Sequence, residues 1–338
     1  MWYWAIRPAL FALDAERAHR LALDALRLAG KRALRLRSGA PIECLGLRFP
    51  NRVGLAAGFD KNAVAVDGLG SLGFGFIEVG TVTPRAQPGQ PRPRLFRLPA
   101  AGALINRLGF PNDGAEKVAS RLRQRRYRGI VGVNIGKNAD TPVARAIDDY
   151  VSCLRTVRNV ADYLVVNVSS PNTIGLRELQ SRERLEPLLT ALLEERARGA
   201  AAAIHRLPLL VKISPDLSSN ELRDIAALLK RLAIDGVIAT NTTASSAGAR
   251  LAPNAQAGGL SGRPLQPIAV RAVAQLRAYL GPRFPIVGVG GIDSSQAALA
   301  MRAAGADLIQ LYTGLVYRGP SLVSNCIRAL EMAEQTEV

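Results

Sequence analysis

Cysteine and histidine are the scarcest reactive residues in this chain of 338 residues. Its three cysteines, Cys44, Cys153 and Cys326, are odd in number and widely spaced. This pattern fits neither a disulfide framework nor a zinc site, and it indicates a reducing compartment. The two histidines, His19 and His205, are predicted to lie far from the strand ends. Chemistry based on a histidine base or a Ser-His-Asp triad is therefore disfavoured, and we expect no metal site.

The sequence also lacks a long apolar run. No stretch reaches the roughly 18 apolar residues that a membrane-spanning helix requires. A signal peptide is disfavoured too, because the first aromatic residues precede the first charge, Arg7, and no small-residue cleavage site follows an apolar core. We therefore expect no transmembrane segment.

Residues 1–30 nevertheless predict two helices with different surfaces. Residues 1–13 are almost wholly apolar, and Asp14 can cap a second helix that ends near Gly30, a residue type preferred after a helix end. The second helix carries Arg17, Arg20, Asp24, Arg27 and Lys31 on one face and Ala18, Leu21, Ala22, Ala25 and Leu28 elsewhere. An apolar helix followed by a basic amphipathic one is typical of a pair that lies in a membrane interface. The alternative is a helical lid whose apolar face packs on the main domain.

The charge is strongly positive, with 44 Lys and Arg against 27 Asp and Glu. Such a balance favours anionic partners, among them an anionic membrane surface, an acidic substrate or nucleic acid. Much of the charge is Arg spread over predicted helical faces, as in residues 121–128, where Tyr127 is the single aromatic residue and no series of aromatic residues offers a surface on which bases would stack. We interpret it as solvated surface and expect no nucleic-acid partner.

Eight apolar segments predict buried strands, at residues 53–57, 76–82, 130–135, 163–168, 209–213, 236–240, 286–289 and 308–312. Helical segments alternate with them, and one begins with a capping box at Ser218 and Glu221. This alternation predicts a (β/α)8 TIM barrel over residues 41–338, with a small N-terminal helical extension over residues 1–40. A doubly wound sheet is the alternative, but residues 58–62 lack the Gly-rich spacing of its first turn.

Residues 42–49 and 52–57 are separated by a Pro-Asn turn. We predict that they pair as a hairpin that leads into the first barrel strand.

The residues that follow the predicted strands are rich in amides, hydroxyls and lysines. They are Lys61, Thr81, Asn134, Asn167, Ser170, Asn172, Lys212, Thr240, Asn241 and Thr242, with an insertion at Asn106–Phe110. The active site of a barrel lies at the carboxyl ends of its strands, so these side chains are expected to meet. Amides both donate and accept hydrogen bonds, which suits a flat polar heterocycle. The lysines can balance a carboxylate or an anionic reduced cofactor.

Glycines cluster after the last two strands, at residues 288–291 and at Gly314, and again at residues 258–262. In barrels this position holds phosphate groups, because glycine exposes backbone N–H groups there. A phosphate-bearing cofactor is therefore predicted. With no histidine or cysteine at a strand end, Ser170 is the plausible base, under a lid formed by residues 171–182.

Nine segments carry a resemblance to a known family. They are GLAAGFDKN (54–62), IEVGTVTPRAQPGQPRPRLFRL (77–98), INRLGFPN (105–112), GVNIGKN (132–138), VNVSSPNTIGLRELQ (166–180), KISPDLS (212–218), DGVIATNTT (235–243), GGLSGRPL (258–265) and GVGGID (288–293). In this order they closely resemble the dihydroorotate dehydrogenases over nearly the whole chain. Ser170 and the N-terminal helices are similar to the membrane-associated, quinone-dependent class 2.

The resemblance implies oxidation of dihydroorotate to orotate in pyrimidine synthesis, with FMN as hydride acceptor and a membrane quinone as final acceptor. It implies that Ser170 takes the C5 proton while the C6 hydride passes to flavin N5. The substrate residues implied are Lys61, Asn106, Arg107, Leu108, Gly109, Phe110, Asn167, Asn172, Asn241 and Thr242. The FMN residues implied are Ala57, Gly58, Phe59, Asp60, Lys61, Thr81, Asn134, Asn167, Lys212, Thr240, Gly262, Gly291, Tyr312 and Thr313.

For the N-terminal extension the resemblance implies a quinone tunnel lined by His19 and Arg97. It also implies a monomeric peripheral protein on the cytoplasmic face of the cell membrane, whose N-terminal helices meet the anionic surface.

Two other functions are considered. Another FMN barrel, such as a tRNA dihydrouridine synthase, would account for the basic charge but uses a Cys acid, and no Cys follows a predicted strand. A catalytically silent, membrane-bound binding barrel is the second, and the joint presence of Ser170, Lys61 and Lys212 argues against it.

Overall fold

The computed structural model describes residues 2–30, 39–200, 206–244 and 257–336. Thirteen strands are present in these ranges. Their bounds are β1 Ile42–Cys44, β2 Leu47–Phe49, β3 Val53–Leu55, β4 Phe76–Val82, β5 Leu95–Leu98, β6 Ala103–Asn106, β7 Ile130–Ile135, β8 Tyr163–Asn167, β9 Leu209–Ile213, β10 Gly236–Ala239, β11 Gly259–Gly262, β12 Ile286–Val289 and β13 Leu308–Leu311.

Eight of these strands close into a parallel barrel in the order β3-β4-β7-β8-β9-β10-β12-β13. They are the eight strands that the sequence predicts, with ends that differ by at most two residues. All are buried along their length, apart from partly buried Ile130, because helices cover the outside and side chains fill the inside. The predicted (β/α)8 barrel is therefore confirmed.

Helices surround the barrel and extend it at the N-terminus. Within the described ranges their bounds are α1 Trp2–Ala12, α2 Ala15–Ala29, α3 Val66–Gly70, α4 Ala115–Arg123, α5 Ala146–Val157, α6 Arg182–Ala200, α7 Ser219–Arg231, α8 Gln266–Leu280, α9 Ser295–Ala303, α10 Thr313–Arg318 and α11 Ser321–Thr336. The predicted capping box at the start of α7 is present, with Ser218 and Glu221 bonded to each other's backbone N–H groups. In the part of the chain that the structure describes, no helix has the length and apolar character needed to cross a membrane.

The predicted hairpin of residues 42–49 with 52–57 is wrong. The hairpin lies within the first segment, where β1 pairs with β2 around Leu45 and Gly46, both of which have positive φ. β3 instead pairs in parallel with β13 and β4. The apolar side chains of the hairpin cover the amino end of the barrel, where the Phe49 ring meets Phe76 edge to face at 5.2 Å. The hairpin thus closes the barrel core at its amino end.

A three-stranded antiparallel sheet, in the order β11-β6-β5, is formed by two excursions from the barrel. β6 is the central strand, and Asn106 at its end lies opposite both Leu95 and Gly259. This pairing holds the segment Asn106–Phe110 next to the Gly-rich residues of β11. The sheet thereby brings together two segments that are remote in sequence.

The N-terminal helices pack on the barrel through α2. Asp14 caps α2 as predicted, since its carboxylate accepts from the backbone N of Glu16 at 3.0 Å and of Arg17 at 2.9 Å. The helix ends at Gly30 as predicted, and Gly30 has right-handed geometry. A Cβ at Gly30 would lie 2.5 Å from the Gly68 backbone N, so glycine is needed for close packing on α3.

Helix α2 has features of both predicted arrangements, a lid packed on the barrel and a helix with exposed apolar residues. Ala18 is buried, and Leu23 and Leu26 pack on the barrel core, as a lid would. Leu21 and Leu28 remain 48% and 59% exposed on the other side. The helix therefore has one apolar surface against the barrel and a second toward the exterior.

Replacing Gly68 by Ala is expected to detach α2 from α3. The new Cβ would lie 2.0 Å from the carbonyl oxygen of Leu26, so the two helices must move apart. Hydrogen exchange of the α2 amides should become at least about tenfold faster, while the barrel amides keep their protection. Gly281→Ala is the control, because an added Cβ there has no atom within 4 Å to clash with and affects only the backbone of a positive-φ position far from α2. Unchanged exchange in α2 of Gly68→Ala would contradict the expectation.

Candidate active site

One cleft opens at the carboxyl ends of the barrel strands. Nineteen of the predicted site residues line it: Ala57, Gly58, Lys61, Thr81, Asn106, Leu108, Gly109, Phe110, Asn167, Ser170, Asn172, Lys212, Thr240, Asn241, Thr242, Gly262, Gly291, Tyr312 and Thr313. They come from the ends of seven barrel strands and from the antiparallel sheet. Residues spread over most of the chain are thus brought together, as expected for strand ends in a barrel.

Four of the predicted substrate and FMN residues do not line this cleft. The Arg107 guanidinium instead binds the Pro93 carbonyl, with its Nη2 at 2.9 Å, and stacks on Phe96. The Asp60 carboxylate accepts backbone N–H groups of the following turn, including Ala65 N at 2.8 Å. Phe59 lies between two other rings, and Asn134 lies fully buried beneath the cleft. The side chains of these residues shape the walls and floor of the cleft.

A chain of side-chain hydrogen bonds crosses the floor of the cleft. Thr81 Oγ1 donates to Asn134 Oδ1 at 2.6 Å, and Asn167 Nδ2 donates to Thr81 Oγ1 at 2.8 Å. Asn241 Nδ2 then donates to Ser169 Oγ at 2.9 Å, and Ser169 Oγ donates to Asn167 Oδ1 at 3.1 Å. Each member comes from a strand end, so the network joins β4, β7, β8 and β10. Bonded in this way, the amides are held in fixed orientations.

Ser170 follows β8 and is 6% exposed in the cleft. Its Oγ accepts from Asn172 N at 3.3 Å, and Asn172 Nδ2 donates to Asn106 Oδ1 at 3.0 Å. The predicted lid, residues 171–182, is joined to the segment that follows β9, where Arg177 pairs with Asp216 at 2.9 Å. These contacts seat the serine hydroxyl between the lid and the antiparallel sheet, where water access is small.

Two lysines supply the positive charge of the cleft. Lys61 Nζ donates to the Gly58 carbonyl at 2.6 Å, and burial together with the Arg94 charge lowers the pKa of Lys61 to about 8. Lys212 Nζ lies 3.9 Å from Glu78 Oε1. Burial lowers the pKa of Lys212, while the Glu78 carboxylate acts in the opposite direction. Buried cations of this kind favour an anionic ligand.

Glycines with positive φ form the end of the cleft after β12 and beside β11. Gly262 has φ of 95° and Gly291 has φ of 73°, conformations that a side chain would strain. A Cβ at Gly291 would lie 2.6 Å from the backbone N of Gln266, and one at Gly314 would lie 2.1 Å from the Ile292 carbonyl. The backbone therefore reaches the cleft wall directly here, as it does where barrels hold phosphate groups.

A second cavity lies between α2 and the barrel. His19 lines it, with its ring edge-on to Phe59 at 5.0 Å, so the prediction that His19 lies far from the strand ends is wrong. Burial and the Lys61 charge lower the pKa of His19 to about 4. The cavity shares four lining residues with the main cleft: Lys61, Leu95, Leu108 and Tyr312. His205 lies outside the described residues.

Arg97 does not line either cavity. It donates to the carbonyl oxygens of Leu10 and Leu13, and it stacks over Phe11 at 4.8 Å. Its guanidinium therefore binds the C-terminal end of α1, where unpaired carbonyl groups favour a cation. In the described structure Arg97 holds α1 on the antiparallel sheet.

Sequence reasoning missed several polar residues that support the cleft. Glu78 and Gln310 lie inside the barrel, where Gln310 Nε2 donates to Glu78 Oε2 at 2.5 Å. Arg94 pairs with Glu16 of α2 through two hydrogen bonds, at 2.7 and 3.2 Å. Gln87 donates to the carbonyls of Gly109 and Phe110 at 3.0 and 3.1 Å. The signal for Glu78 and Gln310 was present, since each interrupts an otherwise apolar predicted strand.

The closed (β/α)8 barrel carries a cleft of amides, lysines and glycines at the carboxyl ends of its strands. Barrel enzymes have their active sites at this end, and the chain has the fold and site of such an enzyme. The family model for dihydroorotate dehydrogenase matches residues 40–333. The chain belongs to the dihydroorotate dehydrogenase family.

Similar proteins agree over almost the full chain. The chain is 53% identical to the dihydroorotate dehydrogenase (quinone) of Burkholderia thailandensis over 334 residues, which is 97% of each chain. It is 52% identical to the protein of the same name from Burkholderia mallei over 338 residues, or 98% of each chain. Among solved structures, the ligand-free DHODH from Eimeria tenella aligns with a TM-score of 0.86 and 38% identity, covering 96% of both chains. The DHODH from Eimeria tenella in complex with ferulenol aligns with a TM-score of 0.86 and 37% identity, covering 95% of this chain and 92% of that one.

Proposed function

We propose that this chain oxidises dihydroorotate to orotate in pyrimidine biosynthesis and passes the electrons, through bound FMN, to a quinone. The observation that carries the proposal is the cleft itself, where Ser170, the amides and two lysines surround one space. The curated relatives at 53% and 52% identity bear the name dihydroorotate dehydrogenase (quinone) and support the substrate and the acceptor.

The residues present fit FMN. Positive-φ glycines at Gly262 and Gly291 lie where barrels hold phosphate, beside the start of α10. Gln310 lines the cleft with a buried Oε1 that has no hydrogen-bond partner among the described residues. We propose that the cofactor is held by the lining residues Ala57, Gly58, Lys61, Thr81, Asn167, Lys212, Thr240, Gly262, Gly291, Tyr312 and Thr313, with Phe59, Asp60 and Asn134 behind them. FMN, when bound, accepts the hydride from C6 of the substrate.

The chain's own residues provide substrate binding and proton removal. The amides of Asn106, Asn167, Asn172 and Asn241, with Thr242 and the backbone of residues 108–110, offer donors and acceptors to the pyrimidine edges. Lys61 offers a positive charge to the substrate carboxylate. Ser170 Oγ takes the C5 proton and gives up its own hydroxyl proton toward the mouth of the cleft, while residues 171–182 limit the access of water to the reacting atoms. The Arg107 side chain is directed away from this space, so we assign it to the support of the β5–β6 sheet.

An alternative FMN-barrel chemistry that uses a Cys acid finds no support in the structure. Cys153 and Cys326 are buried in helices α5 and α11, and Cys44 lies on the hairpin at the amino end of the barrel. None of the three lines the cleft.

We propose that residues 1–40 form the quinone-access extension of a barrel domain formed by residues 41–338. The start of the family model at residue 40 supports this division. His19 and the residues that the two cavities share would line the route to the cofactor, and Arg97 would hold α1 in place. At neutral pH a His19 pKa of about 4 leaves the imidazole uncharged, which suits an apolar acceptor.

We further propose that the protein is a monomer bound peripherally to the cytoplasmic face of the cell membrane. Trp4, Ile6, Leu21 and Leu28 are all exposed on α1 and α2, and they are four of the six large apolar side chains exposed in the described ranges. The basic side chains of α2, among them Arg17, Arg20 and Arg27, are exposed as well. Apolar and basic groups together favour an anionic membrane surface.

An anaerobic absorption spectrum of the purified protein tests the proposal. Oxidised flavin bands should bleach on addition of dihydroorotate and return on addition of a soluble quinone analogue. Flavin bands that ignore dihydroorotate would refute the substrate, and a protein that cannot be loaded with FMN would refute the cofactor.

Ser170→Ala is expected to retain FMN and to bind orotate, but to lose dihydroorotate-driven flavin reduction by about 100-fold or more, since the base is gone. Stopped-flow absorbance measures the rate of flavin reduction. Ser170→Cys should restore part of the rate, because a thiolate can also take the proton. Full turnover in Ser170→Ala would show that another group is the base.

Orotate binding is expected to weaken as the pH rises through about 8. Lys61 is charged below its lowered pKa of about 8 and neutral above it, whereas the orotate carboxylate is ionised throughout this range. The Kd for orotate, from the change in the flavin spectrum, should rise about tenfold between pH 6.5 and pH 9. Lys61→Met should bind weakly with little pH dependence over the same range. An unchanged pH dependence in Lys61→Met would assign the titration to another group.

Membrane binding is expected to depend on exposed apolar residues of the N-terminal helices. The triple variant Ile6→Gln, Leu21→Gln, Leu28→Gln should bind vesicles of phosphatidylcholine and phosphatidylglycerol at least about tenfold more weakly, as measured by co-sedimentation. Met332→Gln is the matched control, because Met332 is 68% exposed on α11, outside the proposed contact. Equal binding by the triple variant and the wild type would refute the membrane contact.

A further inference from the structure

Glu78 is a carboxylate placed at the centre of the barrel. It is 0% exposed and lies on β4 among apolar residues. Asn134 Nδ2 donates to its Oε1 at 2.9 Å, while Gln310 Nε2 at 2.5 Å and the Tyr163 hydroxyl at 3.4 Å donate to its Oε2. A buried carboxylate is costly even when it is paired, and apolar residues could fill the same space. Its effect on the neighbouring polar side chains offers a reason for its presence.

An ionised carboxylate can only accept hydrogen bonds. Asn134 therefore has to turn its NH2 group toward Glu78, which directs its Oδ1 the other way. That oxygen accepts from Thr81 Oγ1 at 2.6 Å and from Asn167 Nδ2 at 3.2 Å. The orientation of the first amide in the network is thus set by Glu78.

The same constraint passes to the next residues. Because the Thr81 hydroxyl donates to Asn134, it has only lone pairs to offer to Asn167, whose Nδ2 lies at 2.8 Å. Asn167 consequently presents its Oδ1 to Ser169 and Asn241, at 3.1 and 3.3 Å. The orientation of each side chain in the network is thus set by the preceding member, beginning with Glu78.

A second branch of the network begins at Gln310. Its NH2 group is also directed toward Glu78, so its Oε1 is the end that remains. That atom is buried and has no partner within the described part of the chain, and Gln310 lines the cleft. Glu78 therefore also determines that Gln310 presents an acceptor, its Oε1, to the cleft and not a donor.

We infer that Glu78 is a positioning residue that sets the direction of the amide network and, through it, the pattern of donors and acceptors presented to a heterocyclic ligand. The inference rests on the proposed function, in which the cleft holds FMN and the substrate pyrimidine. Glu78 itself does not line the cleft and acts through Asn134, Asn167 and Gln310.

Glu78→Gln tests the inference with almost no change of shape. Its amide can donate as well as accept, so Asn134 is no longer forced into one orientation. In the FMN-loaded protein the Kd for orotate, from the change in the flavin spectrum, is expected to rise at least about tenfold. The KM for dihydroorotate should rise more than kcat falls. Wild-type affinity in Glu78→Gln would overturn the inference.

Tyr163→Phe is the matched control. It removes a donor to the same carboxylate, while the hydrogen bonds that link Asn134, Thr81 and Asn167 do not involve Tyr163. Its thermal midpoint should fall, while its Kd for orotate stays within about twofold of the wild type. An equal loss of orotate affinity in Tyr163→Phe and Glu78→Gln would show a merely structural role and would overturn the inference.

A double variant, Glu78→Gln with Asn134→Asp, exchanges the carboxylate and the amide between the two positions. It tests the inference even if Glu78→Gln alone folds poorly. The amide at position 78 then donates to the carboxylate at position 134, which again accepts from Thr81 and Asn167. Orotate affinity should be at least about fivefold better in the double variant than in Glu78→Gln, because network direction is restored. No recovery in a folded double variant would overturn the inference. FMN and orotate binding by the wild type tests the proposed function separately, so a loss confined to the variants concerns Glu78 alone.

Discussion

Polar side chains that are buried away from water have to hydrogen-bond one another, and this requirement organises the carboxyl end of the barrel. Thr81, Asn134, Asn167 and Asn241 come from four different strands and each satisfies its neighbour. A shift of one strand would leave partners unsatisfied on others, so the network and the barrel geometry stabilise each other. The binding groups are consequently oriented before any ligand arrives, which lowers the cost of binding.

Charge in the cleft is governed by the same exclusion of water. Lys212 is buried and Lys61 is half-buried, and loss of contact with water lowers the pKa of each. The Gly58 carbonyl binds the first lysine and the Glu78 carboxylate lies near the second. Such cations attract an anion more strongly than surface lysines do, because the local dielectric constant is low. The overall positive charge of the chain is a separate matter, since most Lys and Arg side chains in the described ranges lie outside the cleft.

Helix α2 connects the site to the exterior. On one side Gly30 packs against Gly68 so closely that neither can carry a side chain, and His19 reaches Phe59. On the other side Leu21 and Leu28 remain exposed. One surface of the helix thus packs on the barrel as a lid would, and the other is exposed. Under the proposed function, the exposed surface would contact the membrane and the helix would guide an apolar electron acceptor toward the cleft.

The sequence by itself determined the barrel, its eight strands and most lining residues of the cleft, because strand periodicity and the position of strand ends are local properties. Only the tertiary structure decided which distant groups meet. In the folded chain the first hairpin lies within residues 42–49, and His19 lies beside Phe59. The Arg107 side chain is directed away from the cleft, and three hydrogen-bond donors surround Glu78. These outcomes depend on helix docking, turn geometry and burial between remote segments, which no local pattern records.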